Sequence, residues 1–284
     1  MKNNWGSKKI LVLVLCSIML VMVGCVPTNK GLSINLGDLE KYTIDEEKYY
    51  EIERIEEIDI KTISAPVEFF ATGDSKEIRV HFHGTVETNS KALPVLEVTH
   101  DGDEIRVEIN RNKIVNIGRL RENLQLDIYL PRRIYEEIAV KTVSGEIIID
   151  EVEANEFSLE SVSGSIHVDS AKTNTTTVGT VSGRVNILNF TGDIDAGTVS
   201  GSVDVEYAEF NNNIDIGTTS GRINIKLPEN AEFGLWAKST SGRIDCNFPI
   251  VISKDEGRKM EGTVGSDKNE INVKTVSGSI NIFH

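Results

Sequence analysis

A Ser-Gly dipeptide recurs seven times in the second half of this 284-residue chain, and its spacing restricts the fold more than any other feature. Successive copies are 19, 19, 18, 20, 21 and 36 residues apart. Helix-containing repeats need about 30 residues or more, so this period argues against them. The serines of the seven copies are Ser144, Ser163, Ser182, Ser200, Ser220, Ser241 and Ser277.

Apolar positions alternate with polar ones on both sides of each Ser-Gly. The third and fifth residues after the serine are apolar in every copy, and the second residue before it is always Thr or Ser. This alternation predicts two half-buried strands that meet at a corner, with the serine itself facing inward. We expect the glycine to take a positive φ there and so reset the alternation. The predicted fold is all-β: a single-chain β-solenoid with coils of about 18–21 residues and identical columns stacked at ~4.8 Å.

The solenoid domain is predicted to span residues 51–284. A degenerate first coil runs from Ile58 to Phe69, with Ala65-Pro66 at its corner. A polar insertion at about residues 248–270 is predicted to form a protruding loop or hairpin. Because the chain finishes on a core-patterned strand near Ile282, we expect this insertion or another chain to cap that strand's edge.

The N-terminus has the pattern of a targeting segment. Three lysines precede an apolar run from Ile10 to Val23, which ends in Gly24-Cys25 and resembles a bacterial lipobox. We predict that residues 1–24 are a lipoprotein signal peptide, that Cys25 is lipidated and that residues 25–50 form a tether. The alternative is an uncleaved N-terminal anchor. Both place the domain on the extracytoplasmic face of the cell membrane, with the lipid-anchored form tied to the membrane through its acyl chains.

The charge balance excludes one class of partner. The chain has 30 Lys plus Arg against 44 Asp plus Glu, a formal net charge of −14. Such an acidic protein repels phosphate backbones, so we predict no nucleic-acid partner. If Cys25 carries lipid, Cys246 has no partner for an intrachain disulfide, and stability must come from packing.

Outward columns of polar residues form the candidate ligand face. The second position after the serine carries several arginines, and the fourth carries mainly Asn and Asp. The face can be a solvated sheet surface with an Asn ladder and Arg–Asp pairs. It can also be a long polar groove for a glycan or a peptide. Its candidate residues are Arg184, Asp204, Arg222, Asn224, Arg243 and Asp245.

No set of residues predicts catalysis or cofactor chemistry. A serine repeated at one corner is typical of a structural role, and Cys246 occupies a core column. Asp204 and Asp245 are expected two coils apart, about 10 Å by strand spacing, with Asn224 between them. His81 and His83 share one face of a strand, but no carboxylate or Cys stands at ligand spacing in sequence. We therefore predict no catalytic residues, no cofactor and no metal site.

The repeated Thr-Val-Ser-Gly units resemble the bacterial putative-adhesin domain family, which is also catalogued as a domain of unknown function. The resemblance rests on the Leu126–Pro131 stretch, the segment Ile138–Gly145 and the terminal segment Ile271–Ile282, and covers roughly residues 50–284. It implies an extracytoplasmic β-solenoid in the cell envelope and supplies no active-site residues.

The predicted function is therefore a membrane-anchored surface lipoprotein, not an enzyme, whose solenoid serves adhesion, interaction or scaffolding. The expected partners are the membrane, through the lipid, and a glycan or protein ligand. The oligomeric state is left open. Two alternatives remain: a carbohydrate-active β-helix enzyme acting on envelope polysaccharide, and an accessory protein of an envelope-stress response that binds a membrane regulator.

Overall fold

The computed structural model describes residues 38–73, 75–89, 93–111 and 120–284, and these residues are almost entirely β-strands and turns. The signal peptide and Cys25 lie outside the described residues. Within the described part, no helix is long and apolar enough to span a membrane. In chain order the strands are β1 Glu40–Glu51, β2 Glu57–Lys61, β3 Val67–Thr72, β4 Glu77–Thr88, β5 Pro94–Asp101, β6 Glu104–Arg111, β7 Leu120–Pro131, β8 Ile134–Thr142, β9 Ile147–Ser161, β10 Ile166–Thr180, β11 Val185–Thr198, β12 Val203–Tyr207, β13 Ile214–Ser220, β14 Ile223–Lys226, β15 Phe233–Ser241, β16 Ile244–Cys246, β17 Val251–Asp255, β18 Lys259–Val264, β19 Glu270–Ser277 and β20 Ile280–Phe283.

Each coil contributes one strand before its Ser-Gly corner and one strand after it. Equivalent strands of successive coils pair in parallel and in register: Ile166 lies between Ile147 and Val185. We call the two resulting ladders the pre-corner sheet and the post-corner sheet. Strands β9, β10 and β11 serve both, because the first part of each joins the post-corner ladder and the last part joins the pre-corner ladder. The predicted β-solenoid is confirmed.

The coils are not stacked in chain order at either end. The last coil, β19 and β20, inserts between the β13–β14 coil and the β15–β16 coil. The first coil, β2 and β3, lies between the β6–β7 coil and the coil formed by β8 and β9. Antiparallel strands extend the ends: β5 beside β6, β4 and β1 beside β7, and the β17–β18 hairpin beside β15.

The ends of the solenoid differ from the sequence prediction. The final strand, β20, has no free edge, because β14 and β16 flank it. The insertion does form a hairpin, but this hairpin covers β15 instead. The post-corner sheet ends on β16, a strand of only three residues, which limits the edge available for unwanted pairing.

The tether prediction for residues 25–50 is wrong in its second part. Glu40–Glu51 form β1, which pairs antiparallel with β4 over its whole length. Ile44 is the only fully buried residue of β1, so the strand carries almost no apolar alternation. Edge strands of this kind consist mainly of charged residues. The sequence of residues 40–50 therefore resembles that of a linker.

The serine and the glycine of each corner differ from the sequence prediction in orientation and in backbone conformation. The serines are exposed, and none of the corner glycines has a positive φ. A Cβ on these glycines would instead lie 1.8–2.3 Å from a backbone carbonyl oxygen of the adjacent coil. Glycine is therefore required by the close stacking of corners. The glycines contact one another in the order Gly183, Gly201, Gly221, Gly278 and Gly242, which matches the order of the strands.

The Thr or Ser two positions before each serine is buried, and in four corners its hydroxyl accepts a hydrogen bond from the corner glycine. Thr180 Oγ1 accepts a hydrogen bond from the Gly183 backbone N–H at 3.0 Å, and Thr198 does the same for Gly201 at 2.9 Å. These hydroxyls satisfy backbone donors that the turn would otherwise leave unpaired inside the protein.

Candidate ligand-binding face

The six predicted ligand-face residues lie together on the outer side of the post-corner sheet. Asp204, Asn224 and Asp245 project outward from β12, β14 and β16, between buried aliphatic neighbours. Arg184, Arg222 and Arg243 stand two positions earlier in their own coils, close to the corner, and all three are exposed. The structure therefore brings the predicted residues onto one surface.

Across the post-corner sheet the arginines alternate with serines, and this spatial order differs from the order along the chain. Backbone hydrogen bonds place Ser202 beside the coil of Arg184, and Arg222 beside that of Ser202. The inserted last coil then separates Arg222 from Arg243 by Ser279. We call this line the arginine row: Arg184, Ser202, Arg222, Ser279 and Arg243. Successive arginines are two strands apart, or about 9.6 Å.

The guanidinium groups of the arginine row are available to a ligand. Within the described residues, none of the three forms an ion pair or a side-chain hydrogen bond. The Arg–Asp pairs expected for a merely solvated surface are therefore absent from this part of the chain. Guanidinium groups bind carboxylate, sulfate and phosphate oxygens through paired hydrogen bonds, so the row presents three regularly spaced anion-binding groups.

The neighbouring Asn and Asp column is bonded largely to itself. Asn281 Nδ2 donates to Asn224 Oδ1 at 2.6 Å, and Asn224 donates in turn to Asp204. Farther along, Asn186 Nδ2 contacts His167 Nδ1 at 2.9 Å. This column is an internal ladder of the kind predicted, and it stiffens the surface on which the arginines stand.

Asp204 and Asp245 are farther apart than the sequence suggested. Both Asn224 and Asn281 lie between them, since the last coil inserts there. Three strand spacings amount to about 14 Å. Paired carboxylates of glycosidases stand at most about 9.5 Å apart, so these two aspartates do not form such a pair.

A shallow groove lies beside Arg184 on the same surface. Its volume is about 620 Å³, and residues of four successive coils line it. Glu146 lies in it as well as Arg184, so the groove offers both charges, together with hydroxyl and amide groups. Its lining residues are Glu146, Ser165, Ile166, His167, Ser182, Arg184, Asn186 and Asp204.

An apolar ridge follows the corner edge and was missed by the sequence analysis. The residue before each corner serine is aliphatic in most coils and points outward, with Ile63 57% and Val276 51% exposed. Its signal was visible as the Val of Thr-Val-Ser-Gly. We call it the valine ridge: Ile63, Val143, Val162, Val181, Val199 and Val276. Ile63, Val143 and Val276 are exposed and the three other valines are half-buried, while Thr219 interrupts the line between Val199 and Val276. Exposed apolar side chains grouped on a surface are typical of interaction sites.

Two carboxylates on the outer side of the pre-corner sheet were also missed. Asp195 and Asp215 lie directly opposite each other on β11 and β13. Burial and the nearby Asp215 carboxylate raise the pKa of Asp195 to about 6, and burial also raises the pKa of Asp215. The side chain of Lys274 passes over Gly217, and its positive charge lowers the pKa of both aspartates, which partly offsets the increases.

A second groove, of about 490 Å³, adjoins this pair. It lies where the β17–β18 hairpin extends the pre-corner sheet. The indole of Trp236 lines it together with Asp215, Asn272 and Lys274. A polar groove with one aromatic platform is suited to a small polar molecule, but Trp236 has no repeat counterpart that would extend the site along the solenoid.

Two candidates from the sequence remain: Cys246 and the histidine pair His81 and His83. Cys246 is half-buried in its core column, and burial raises the pKa of its thiol, so it is not an activated nucleophile. His81 and His83 do acquire carboxylate neighbours, contrary to the sequence expectation. Strands β1 and β7 flank them and bring Asp45 and Asp127 into contact.

Comparison with known families gives a match over most of the domain. The chain matches the family described as Toastrack DUF4097 over residues 55–187 and again over residues 144–283. The two matches overlap and together cover both halves of the solenoid. Among curated proteins, none matches this chain.

Solved structures resemble the chain over most of its length. They include a "putative cell adhesion protein" from Clostridium sporogenes (16% identity, 85% of this chain and 99% of that chain, TM-score 0.37). Another is a "putative adhesin" from Bacteroides fragilis (12% identity, 86% and 97%, TM-score 0.43). A third is a "putative lipid binding protein" from Parabacteroides distasonis (14% identity, 84% and 96%, TM-score 0.38).

Proposed function

The chain belongs to the Toastrack DUF4097 family, and we propose that it is a non-catalytic binding module displayed at a bacterial surface. The ligand we propose is an extended anionic chain, such as a glycan that carries carboxylate or sulfate groups. The observation that carries this proposal is the arginine row, in which three unpaired guanidinium groups recur every second strand on an otherwise acidic protein.

The corner edge supplies the other contacts that such a ligand needs. The valine ridge, the exposed corner serines and the arginine row run parallel to one another along the stacked coils. A long ligand lying along this edge meets a corner serine at every strand, about 4.8 Å apart, and a guanidinium group at every second strand, about 9.6 Å apart. Val181, Val199 and Val276 add aliphatic contacts along the same stretch. Solenoids commonly use such extended surfaces for binding.

The corner serines support binding rather than catalysis. Ser144 Oγ donates to the Ile63 carbonyl at 3.2 Å, and Ser182 Oγ donates to the Val162 carbonyl at 3.4 Å. A nucleophilic serine instead needs a general base within hydrogen-bond distance. Neither of these hydroxyls contacts a histidine or a carboxylate in the described part of the chain.

We also propose that Cys25 anchors the protein in the membrane through its lipid. The sequence pattern around Cys25 supports this proposal, and β1 begins at Glu40, so residues 26–39 separate the two. Mass spectrometry of the mature N-terminus is the test. A diacylated Cys25 is expected, whereas a chain retaining residues 1–24 would contradict the lipoprotein form.

The binding proposal is tested with full-length protein in detergent and two polysaccharides of equal length, polygalacturonate and neutral dextran. We expect saturable, salt-sensitive binding of polygalacturonate only, and no shortening of the polymer. A variant with Arg184→Ala, Arg222→Ala and Arg243→Ala should bind at least about tenfold more weakly.

The matched control removes the same charge from other exposed positions, through Lys172→Ala, Lys238→Ala and Lys268→Ala. Equal losses in the two variants would mean that net charge, not the arginine row, governs binding. Shortened polygalacturonate in the mixture would show an enzyme and overturn the proposal.

A further inference from the structure

Two histidines on the outer side of the post-corner sheet stack against each other near its N-terminal edge. His81 and His83 are two residues apart on β4, so their side chains leave the same face of the strand. Their ring centroids are 4.3 Å apart, and the rings are inclined by only 26°. Neither histidine takes part in the repeat, and neither belongs to the proposed binding edge.

A buried carboxylate completes a compact set of ligand atoms with them. One nitrogen of each imidazole and one oxygen of Asp127 all lie within 4.8 Å of one another. His83 Nε2 is 3.0 Å from Asp127 Oδ2. Asp127 is only 6% exposed, and a carboxylate so withdrawn from water needs a cation or strong hydrogen bonds.

Further polar groups surround these three residues. Asp45 Oδ1 lies 2.8 Å from His81 Nε2. Gln125 Nε2 donates to Asp127 Oδ1 at 2.8 Å and so orients that carboxylate. Hydrogen-bonded carboxylates and amides in such positions orient metal ligands and adjust their affinity. Glu47 Oε1 lies 3.8 Å from His81 Nδ1, and the carboxylates of Asp45, Glu47 and Asp127 together favour a cation electrostatically.

We propose that His81, His83 and Asp127 bind one divalent first-row transition metal ion, with zinc as the principal candidate. Imidazole nitrogen and carboxylate oxygen are preferred zinc ligands, and three protein ligands leave one position for water or for Asp45. The donor set contains two nitrogens, which distinguishes it from the all-oxygen sites of calcium and magnesium.

The ion would add a side-chain link among three strands that are already paired through their backbones. Asp127 belongs to β7, the histidines belong to β4, and Asp45 belongs to β1. β1 buries Ile44 and packs Tyr50 partly against the core, and its attachment to β4 rests largely on backbone pairing along all twelve of its residues. With the lipid anchor proposed at Cys25, β1 is the first described strand after the anchor, so a bound ion would fasten the solenoid at that strand.

The test uses full-length protein in detergent, stripped with a chelator and titrated with Zn²⁺ alone. We expect one ion per chain and slower hydrogen exchange of the β1 amides when zinc is bound. His83→Ala and Asp127→Asn should each weaken zinc binding at least about tenfold. Circular dichroism of both variants should match the parent protein, which separates ligand loss from misfolding.

His167→Ala is the control, because His167 Nε2 also contacts a carboxylate, Asp169 Oδ1 at 2.8 Å, but has no second imidazole beside it. This variant should bind zinc like the parent. With Co²⁺ in place of zinc, the visible absorption bands of a nitrogen- and oxygen-coordinated ion should appear in the parent and disappear in His83→Ala. Absence of saturable zinc binding, or unchanged binding in His83→Ala and Asp127→Asn, would overturn the proposal.

Discussion

At the residue scale, the corner is specified by two kinds of side chain with different duties. The glycine allows one coil to approach the next, and in the corners of Gly145, Gly164, Gly183 and Gly201 the buried Thr or Ser accepts a hydrogen bond from the glycine N–H. The sequence analysis found both columns but assigned the glycine a positive φ, because the alternation reverses at that point. Contact between coils is the actual cause, and a single repeat unit cannot reveal it.

Replacing Gly183 by alanine should destabilise the protein strongly. The new Cβ would lie 2.0 Å from the Gly164 carbonyl oxygen, so the two coils must separate locally. We expect a loss of about 3 kcal/mol or more in the free energy of unfolding, measured with urea. Gly73→Ala is the control, because a Cβ there meets nothing within 4 Å. A similar small loss in both variants would contradict the stacking explanation.

Replacing Thr180 by valine keeps the side-chain shape but removes its oxygen. The buried Gly183 N–H then has no acceptor, which should cost about 1–3 kcal/mol of unfolding free energy. Thr219→Val is the comparison, because Thr219 is exposed and most other coils have an aliphatic residue there. The urea midpoint should fall for Thr180→Val and stay nearly constant for Thr219→Val. The reverse result would refute the assigned role.

Asp195 should make stability depend on pH. Burial and Asp215 raise its pKa to about 6 in the folded protein, so its contribution is fully present below about pH 3.8 and is lost as pH rises through about 6. Asp195→Asn mimics the protonated form. After allowance for partial exposure, it should stabilise the protein by about 1–2 kcal/mol near pH 7.5.

The stabilisation by Asp195→Asn should shrink towards zero near pH 4, as followed by thermal unfolding across this range. Asp150→Asn, at an exposed position, serves as the comparison and should show no such pH-dependent gain. A gain for Asp195→Asn that persisted unchanged at pH 4 would argue against a raised pKa.

At the element scale, the sequence predicted the strands of the repeat well but not their order in space. Every coil carries the same apolar columns, so any coil fits against any other. Chain order at the ends is decided by the hairpins and connections, which carry little periodic signal. The cluster of His81, His83 and Asp127 could not be predicted from sequence for the same reason. Asp127 is 44 residues from His83 and reaches it only through the pairing of β4 with β7.

Removing the last coil should therefore damage the interior of the C-terminal end. Deletion of residues 270–284 removes four fully buried side chains, Ile271, Val273, Ile280 and Ile282. At about 2 kcal/mol each, their burial contributes on the order of 8 kcal/mol. We expect partial unfolding of the β15–β16 coil, seen as rapid hydrogen exchange of its amides.

The matched deletion replaces the β17–β18 hairpin by a short turn and should cost less. That hairpin buries only Val264 among its larger apolar side chains, although it also covers the β15 edge. If the two deletions destabilised the protein equally, the last coil would not lie inside the stack.

At the scale of the whole molecule, charge and shape are distributed unevenly. The chain is acidic overall, with a formal net charge of −14, yet along one edge three guanidinium groups have no ion pair with any residue that the structure describes. In-register parallel pairing of the post-corner strands sets the spacing along this edge at one strand per coil. The insertion of β20 converts neighbouring arginines into an evenly spaced row, so that the topology and the proposed ligand are directly connected.

The central claim is that the arginines act together on one extended anionic ligand, and binding of graded galacturonate oligomers to the full-length protein tests it most directly. Affinity should rise with length until the oligomer spans Arg184 to Arg243, about 19 Å by strand spacing, and then level off. Affinity that does not change with length, or that equals the affinity for neutral oligomers, would contradict the account.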